Sequence, residues 1–323
     1  MSAPEISRTA THGANAPDES DRAPGAAPIG RRHSRRGRSR ALTLLVLVAP
    51  SVLLLAVING YPVVYGLVQS THDSTLISSG AWTGLANYTH VFTDPSFWSA
   101  TLFTLIFTVV GVFGSWAVGL GLALLLRTSV PGATAFKVLL MLPWVVPVVV
   151  STTAWNWLIA TSESPIPKLI HALGFADPMF LSDPTTAKVT VCLFKVWASF
   201  PFMMVMMSSA LAAVDHALYE ASSLDGAGRW QQLTRITLPN IGRSTYISWI
   251  LMMIFCVNDF PSIYLLTGGG PANSTTTLIV LAYRTVFQNF QVGTGVAIAF
   301  VLTAALVLVS VVLYRQIRKV ETA

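Results

Sequence analysis

Charge is what this chain lacks. Asp, Glu, Lys and Arg make up 11% of its 323 residues, where a water-soluble protein carries about 25%. So few charges cannot coat a water-facing surface, which excludes a soluble globular protein. Cysteine is nearly absent too. Cys192 and Cys256 are the only two; both fall in apolar runs without metal-ligand spacing, and a buried cysteine behaves as a small hydrophobe. The His-Glu-x-x-His and Gly-x-Ser-x-Gly signatures of hydrolases are missing, as is any cluster with metal-ligand spacing, which weighs against a membrane enzyme.

What the chain has is apolar length. Hydrophobic residues make up 53% and mean hydropathy is +0.62. Six runs, over 41–62, 100–126, 138–160, 187–213, 244–266 and 293–314, are each long enough for a helix to cross a bilayer, which takes about 20 residues. The expected fold is therefore an all-α integral membrane protein with six transmembrane helices. Residues 1–40, rich in Ala, Pro, Ser, Gly and Arg, cannot bury a core and read as a disordered basic tail. The run after it reaches 18 residues without an Ala-x-Ala cleavage signal, so it reads as a retained anchor.

Basic residues set the orientation. The tail, the 127–137 and 214–243 links and the C-terminal end hold sixteen Lys and Arg, against two, Lys168 and Arg284, in the alternate connections. By the positive-inside tendency both termini and the 214–243 insert are cytoplasmic. The cluster RRHSRRGRSR reads accordingly as a topology signal or a contact to anionic membrane lipid, not a nucleic-acid site.

Several runs carry helix breakers. Pro50, Pro143, Pro147, Pro201 and Pro261 lie inside them, and each removes a backbone donor and bends or breaks its helix. Such breaks are tolerated where neighbouring helices or a water-filled cavity satisfy the freed carbonyls, so several together suggest a transport pathway. Gly111, Ser115 and Gly119 recur every four residues, a stripe that permits close helix contact. Neither half of the chain repeats the other, as the halves of a secondary transporter usually do. Six kinked helices are few for a transporter working alone, which points to a second membrane subunit.

Between the fourth and fifth runs lies YEASSLDGAGRWQQLTRITLPNI, Tyr219 to Ile241. Ala217, Leu218, Ala221 and Leu224 form an apolar stripe on one short helix. Asp225-Gly226 ends it, because glycine tolerates the left-handed conformation at a helix C-terminus. Trp230, Leu233 and Ile236 form a second stripe, and Pro239 is expected to stop that helix before the membrane. Helices this short are unstable in water alone. Their apolar faces must dock, on a partner, on headgroups or on their own bundle; Arg229 and Trp230 are of the types that anchor interfaces.

The wording of this stretch resembles the EAA loop of ABC-importer permeases, Glu-Ala-Ala, three residues, Gly, nine residues, Ile-x-Leu-Pro. Here Glu220-Ala221-Ser222 is followed by Gly226 and then by Ile236-Thr237-Leu238-Pro239, with Ser222 the one small-for-small departure. Asn258-Asp259-Phe260 and Leu266-Thr267-Gly268-Gly269-Gly270-Pro271 resemble the end of the penultimate span in the carbohydrate permeases of the MalF and glycerol-phosphate group. The glycine run lacks the Gly-Lys-Ser/Thr ending of a phosphate-binding loop.

The resemblance covers 41–315 and implies the type I ABC-importer permease fold, with 214–243 as the ATPase-coupling loop and 316–323 as a cytoplasmic C-tail. It implies a second permease subunit, a different one in the leading reading and a copy of this chain in the alternative, two ATPase subunits that bind ATP and Mg, an extracytoplasmic solute-binding (lipo)protein, and no cofactor in this chain. The cargo it implies is a sugar. Trehalose, maltose, other oligosaccharides and glycerol phosphates fit, and the Ala- and Arg-rich tail resembles actinobacterial sequences, among which trehalose importers of this type occur. Other ABC cargo, such as an amino acid, and a secondary transporter are the alternatives.

A sugar pocket needs carboxamides or carboxylates beside aromatic rings, and polar groups inside spans usually face a cavity or a partner. Asn156, Lys195, Asn258 and Asp259 are the polar candidates and Trp155, Trp157, Trp197, Phe260 and Tyr264 the rings. Each has a plainer role available: the tryptophans as interfacial belt residues, Lys195 as a partner of Asp259, and Asn258 as a cap on backbone freed near Pro261.

Overall fold

A computed structural model describes residues 34–127, 132–176 and 178–321. Most of the tail expected to be disordered lies outside these residues. Two compact units divide the chain, Met1–Asn59 and Gly60–Ala323. The first ends inside α1 (Ser34–Ser70), an uninterrupted helix of 37 residues that runs on into the second. It starts earlier than the run at 41 suggested and continues through Pro50.

In the second unit, α2 (Ala86–Thr93) leads into α3 (Pro95–Leu125), whose first turn is capped by Asp94 and opened by Pro95. α4 (Ala133–Val145) and α5 (Val148–Ile159) follow, then α6 (Pro165–Ala172) and the long α7 (Pro184–Ala212). The insert holds α8 (His216–Leu224) and α9 (Arg229–Gln232). α10 (Leu238–Val257), α11 (Phe260–Thr267), α12 (Leu278–Phe287) and α13 (Val292–Glu321) complete the chain, and α13 continues through most of the residues taken as a C-tail. The described residues include five helices long and apolar enough to cross a membrane, and six spans if α4 and α5 count as one.

That pair corrects the third expected span. Residues 138–160 are not one rod: the two halves meet at 93°. Pro147 causes the bend. Its ring disfavours helical backbone at the preceding residue, and Val146 is extended, φ −67° and ψ 131°. Pro143 and Pro201, by contrast, sit inside helices that continue past them. The fifth span is also shifted. It covers Arg229–Val257 as one rod, and the break before Pro261 makes 260–267 a separate helix.

Pro239 does not stop the insert's second helix. The chain passes from α9 through a π-helical turn, Leu233–Thr237, directly into α10. A proline ring clashes with the carbonyl four residues back and offers it no donor; a widened turn accommodates both defects.

The centre is built on α3 and α7. A Cβ added at Gly119 would lie 2.7 Å from both Met203 Cβ and the backbone N of Met204, and one added at Gly111 would lie 2.7 Å from Cys256 Sγ. Ser115 between them is fully buried, its hydroxyl donating to the Gly111 carbonyl at 2.5 Å. The small-residue stripe thus brings α3 against α7 and α10. Phe107, Phe194, Met203, Met252, Cys256 and Ile263 fill the space around it.

Candidate functional site

The insert begins with Asp215, whose carboxylate accepts from the Ala217 N–H at 3.0 Å and caps α8. At the other end Gly226 takes φ +78°. Its N–H donates to Ser223 O and the Ala227 N–H donates to Ser222 O at 2.9 Å, the paired bonds of a Schellman turn. The chain reverses here because position 226 has the one residue without a Cβ penalty for that conformation.

Three polar contacts then clamp the two arms together. Gln232 Nε2 donates to Ser222 Oγ at 3.1 Å and to Ser223 Oγ at 2.9 Å. Tyr219 Oη and the buried Thr237 Oγ1 are 3.0 Å apart. Arg127, just beyond α3, stacks over the Tyr219 ring at 4.6 Å from its centroid. Ser222, a departure from alanine in the sequence pattern, is therefore a working part of the clamp, as are Tyr219, Gln232 and Thr237, which pattern reading passed over.

With its polar inner face satisfied, α8 turns its apolar stripe outward. Ala217, Leu218, Ala221 and Leu224 are all exposed, Leu224 to 90% and the neighbouring Trp230 to 74%. Glu220 is exposed and, among the described residues, pairs with His216 at 3.2 Å. Asp225, Gly226, Arg229 and Pro239 are exposed as well, while Ile236 and Leu238 are half-buried at the start of the long helix. The insert does not fold its apolar stripe back on its own bundle.

A second feature lies deeper, where the bend after α4 leaves a cavity of about 580 Å³ between α4, α5, α7 and the α10–α11 break. Lys195 of α7 donates to Asp259 Oδ2 at 2.7 Å, both side chains 8% exposed. Asp259 Oδ1 accepts from the Ser262 N–H at 3.1 Å, so one carboxylate caps α11 and neutralises the buried cation. Asn258 reaches the same cavity but donates to Ile254 O at 2.9 Å.

Of the nine residues proposed for a substrate pathway, Lys195, Asn258 and Asp259 line this cavity; the others do not. Trp155 packs edge-on to Phe194 at 5.4 Å and lies 5.6 Å from Trp197, a structural cluster. Asn156 donates to Leu265 O at 3.2 Å, joining α5 to α11, and Trp157 is exposed. Phe260 and Tyr264, one helical turn apart, stack on each other at 4.8 Å and against Tyr283 of α12. The grouping of these rings with Asn258 and Asp259 is corrected accordingly: the polar pair lines the cavity, while the rings pack against Tyr283 and are not among its lining. Trp144, Ser151 and Ser199 line the cavity instead, and the nearby prolines 143 and 147 were the signal that could have found them.

Outside the spans, Lys168 of α6 donates at 2.7 Å to Glu163 on the connection before it, and this bond holds the Glu163 carboxyl below its usual range.

Residues 115–321 match the family described as binding-protein-dependent transport system inner membrane component. The chain belongs to this family. The matched region contains both the insert and the Lys195–Asp259 cavity. A sulfoquinovosyl glycerol transport system permease of Agrobacterium fabrum is 32% identical over 86% of this chain and 91% of its own length. A trehalose/maltose transport system permease of Thermococcus litoralis is 31% identical over 88% and 94%. A diacetylchitobiose uptake system permease of Streptomyces coelicolor is 33% identical over 90% and 91%. Among solved structures, a bacterial ABC transporter involved in import of the acidic polysaccharide alginate has a chain that superposes with a TM-score of 0.77, covering 88% of this chain and 98% of that one at 19% identity. That likeness is one of fold, and it makes this permease a member of the type I ABC-importer architecture with multiple membrane spans.

Proposed function

We propose that this permease is one of two membrane subunits of a binding-protein-dependent importer that carries a sugar into the cytoplasm, with a disaccharide such as trehalose or maltose as the leading cargo. The observation that carries the reading is the insert: a rigidly clamped helix that presents its apolar face to solvent, in a loop with EAA-type spacing. Such a surface calls for a protein cleft. Two ATPase subunits, holding ATP and Mg themselves, supply it, and Leu218, Leu224 and Trp230 are the anchors on this side. Closure of the ATPases rocks the spans through the insert, exposing the central cavity to alternate sides. A second, different permease supplies the other half of the pathway, and a solute-binding protein delivers cargo from outside. The sixteen-to-two distribution of basic residues supports placing both termini and the insert in the cytoplasm.

The cavity beside Lys195 and Asp259 is this subunit's share of the pathway, with Asn258, Ser151 and Ser199 as the groups facing sugar hydroxyls. The names of the relatives support a sugar but differ in which one, so the test is a panel. The complete transporter, reconstituted with its binding protein, is assayed for ATPase stimulation by trehalose, maltose, diacetylchitobiose, sulfoquinovosyl glycerol and glycerol phosphate. Stimulation by a neutral disaccharide, lost in Glu220→Lys and Gly226→Asp with normal membrane insertion, is the expected result. Stimulation by none of the sugars, or wild-type activity in both variants, overturns the reading.

A further inference from the structure

We propose that the pocket between the end of α3 and the insert is a binding site for the phosphodiester headgroup of an anionic phospholipid. The pocket, about 350 Å³, opens on the insert end of the bundle. Arg127, His216 and Arg229 line it together with Leu124 and Leu233. Its position follows from the helices that frame it. Arg127 lies two residues past the last residue of α3, and Arg229 is the first residue of the rod that runs to Val257. Arg127 therefore sits at the insert end of an apolar span, and the pocket brings Arg229 of the insert to the same place.

The charge at this point is unspent. Neither arginine makes an ion pair among the described residues, and the Glu220 carboxylate nearby is engaged by His216. The other polar groups in the wall are occupied: Tyr219 with Thr237, and the Gln232 amide nitrogen with Ser222 and Ser223. Arg127 lies over the Tyr219 ring, a cation–π contact that uses the face of the guanidinium rather than its N–H groups. Two such forks match the oxygens of a phosphate, which they bind bidentately, while Leu124 and Leu233 offer an apolar wall to the glycerol and the start of the acyl chains. A free phosphate ester would satisfy the forks but not that wall. A headgroup seated here touches α3, α8 and the start of the long helix at once, so it braces the insert that transmits motion to the spans.

The experiment uses the complete transporter, delipidated and titrated with phosphatidylglycerol in phosphatidylcholine nanodiscs, with bound lipid counted by native mass spectrometry. Each arginine near an anionic surface contributes about fivefold in affinity. Arg127→Gln and Arg229→Gln should each weaken phosphatidylglycerol retention by about that factor and the double variant by about thirtyfold, while Arg127→Lys/Arg229→Lys stays closer to wild type. Lys168→Gln, at the opposite end of the bundle, should not change it. Equal retention in wild type and the single Gln variants overturns the proposal, and these remain informative if the double variant fails to assemble. Displacement of the lipid by inorganic phosphate makes the pocket a soluble-phosphate site and overturns the headgroup assignment. Loss of ATPase subunits with lipid retention unchanged assigns the arginines to that contact instead and overturns it too.

Discussion

Removing one charge from the Lys195–Asp259 pair should destabilise the permease far more than removing both. At 2.7 Å and 8% exposure on each side, the pair exchanges water for each other and, on Asp259, one backbone N–H. Taking an effective dielectric near 20, the attraction is on the order of 5 kcal/mol, and much of it only offsets desolvation. Lys195→Met leaves a carboxylate buried with one backbone donor for company; Asp259→Asn keeps an acceptor for the Ser262 N–H but strands the ammonium. Each should cost about 3–5 kcal/mol. The double variant strands neither and should recover to within about 1–2 kcal/mol of wild type. Thermal melting of the purified complex in nanodiscs reads this as a midpoint lowered by about 10 °C in the single variants and largely restored in the double. A double variant that melts with the singles refutes the argument, because the cost then does not come from an uncompensated charge. Restored melting without restored uptake would assign the charges a separate part in the pathway.

Close packing of α3 gives a matched pair of glycine tests. Gly119→Ala puts a Cβ at 2.7 Å from the backbone of α7 and should destabilise by about 1–3 kcal/mol, whereas Gly121→Ala, with nothing within 4 Å, should be neutral or slightly stabilising, both read by melting. Gln232→Ala removes the bonds to Ser222 and Ser223; amide exchange across 216–224 should quicken about fivefold, a loss of about 1 kcal/mol, and unchanged exchange would mean the clamp holds without it. Single cysteines at Ser79, Ser182 and Asn273 should label from outside intact cells and one at Gln231 should not; labelling at Gln231 reverses the orientation.

The features legible in the sequence are those set within a few residues. Apolar runs long enough for a bilayer marked the spans, because no alternative burial exists for 20 such side chains in a row. Asp225-Gly226 marked the reversal of the insert, because the left-handed turn needs only one residue type at one place. The small stripe on α3 foretold a close contact, though not that Met203, Met204 and Cys256 would be on its other side. Where expectation and structure part, a local rule had more than one outcome. A proline deletes a donor wherever it stands, yet α7 continues through Pro201, a π-turn precedes Pro239 and the chain bends 93° before Pro147. Which of these occurs depends on what the neighbouring helices can satisfy.

The sequence by itself determined that this chain lives in a membrane, roughly where its apolar spans lie, though not the bend before Pro147 or the early start of the fifth rod, and which short stretch has the spacing of a coupling loop. Those properties are carried by composition and near-neighbour pattern, and folding has no freedom to alter them. Only the tertiary structure decided that Lys195 and Asp259, 64 residues apart, share one bond, that Phe260 and Tyr264 turn away from them towards Tyr283, and that Arg127 and Arg229 meet at one pocket beside the insert. Contacts across the bundle depend on the rotation and depth of each helix against the others. Many side chains settle these together, so no single window of sequence contains them.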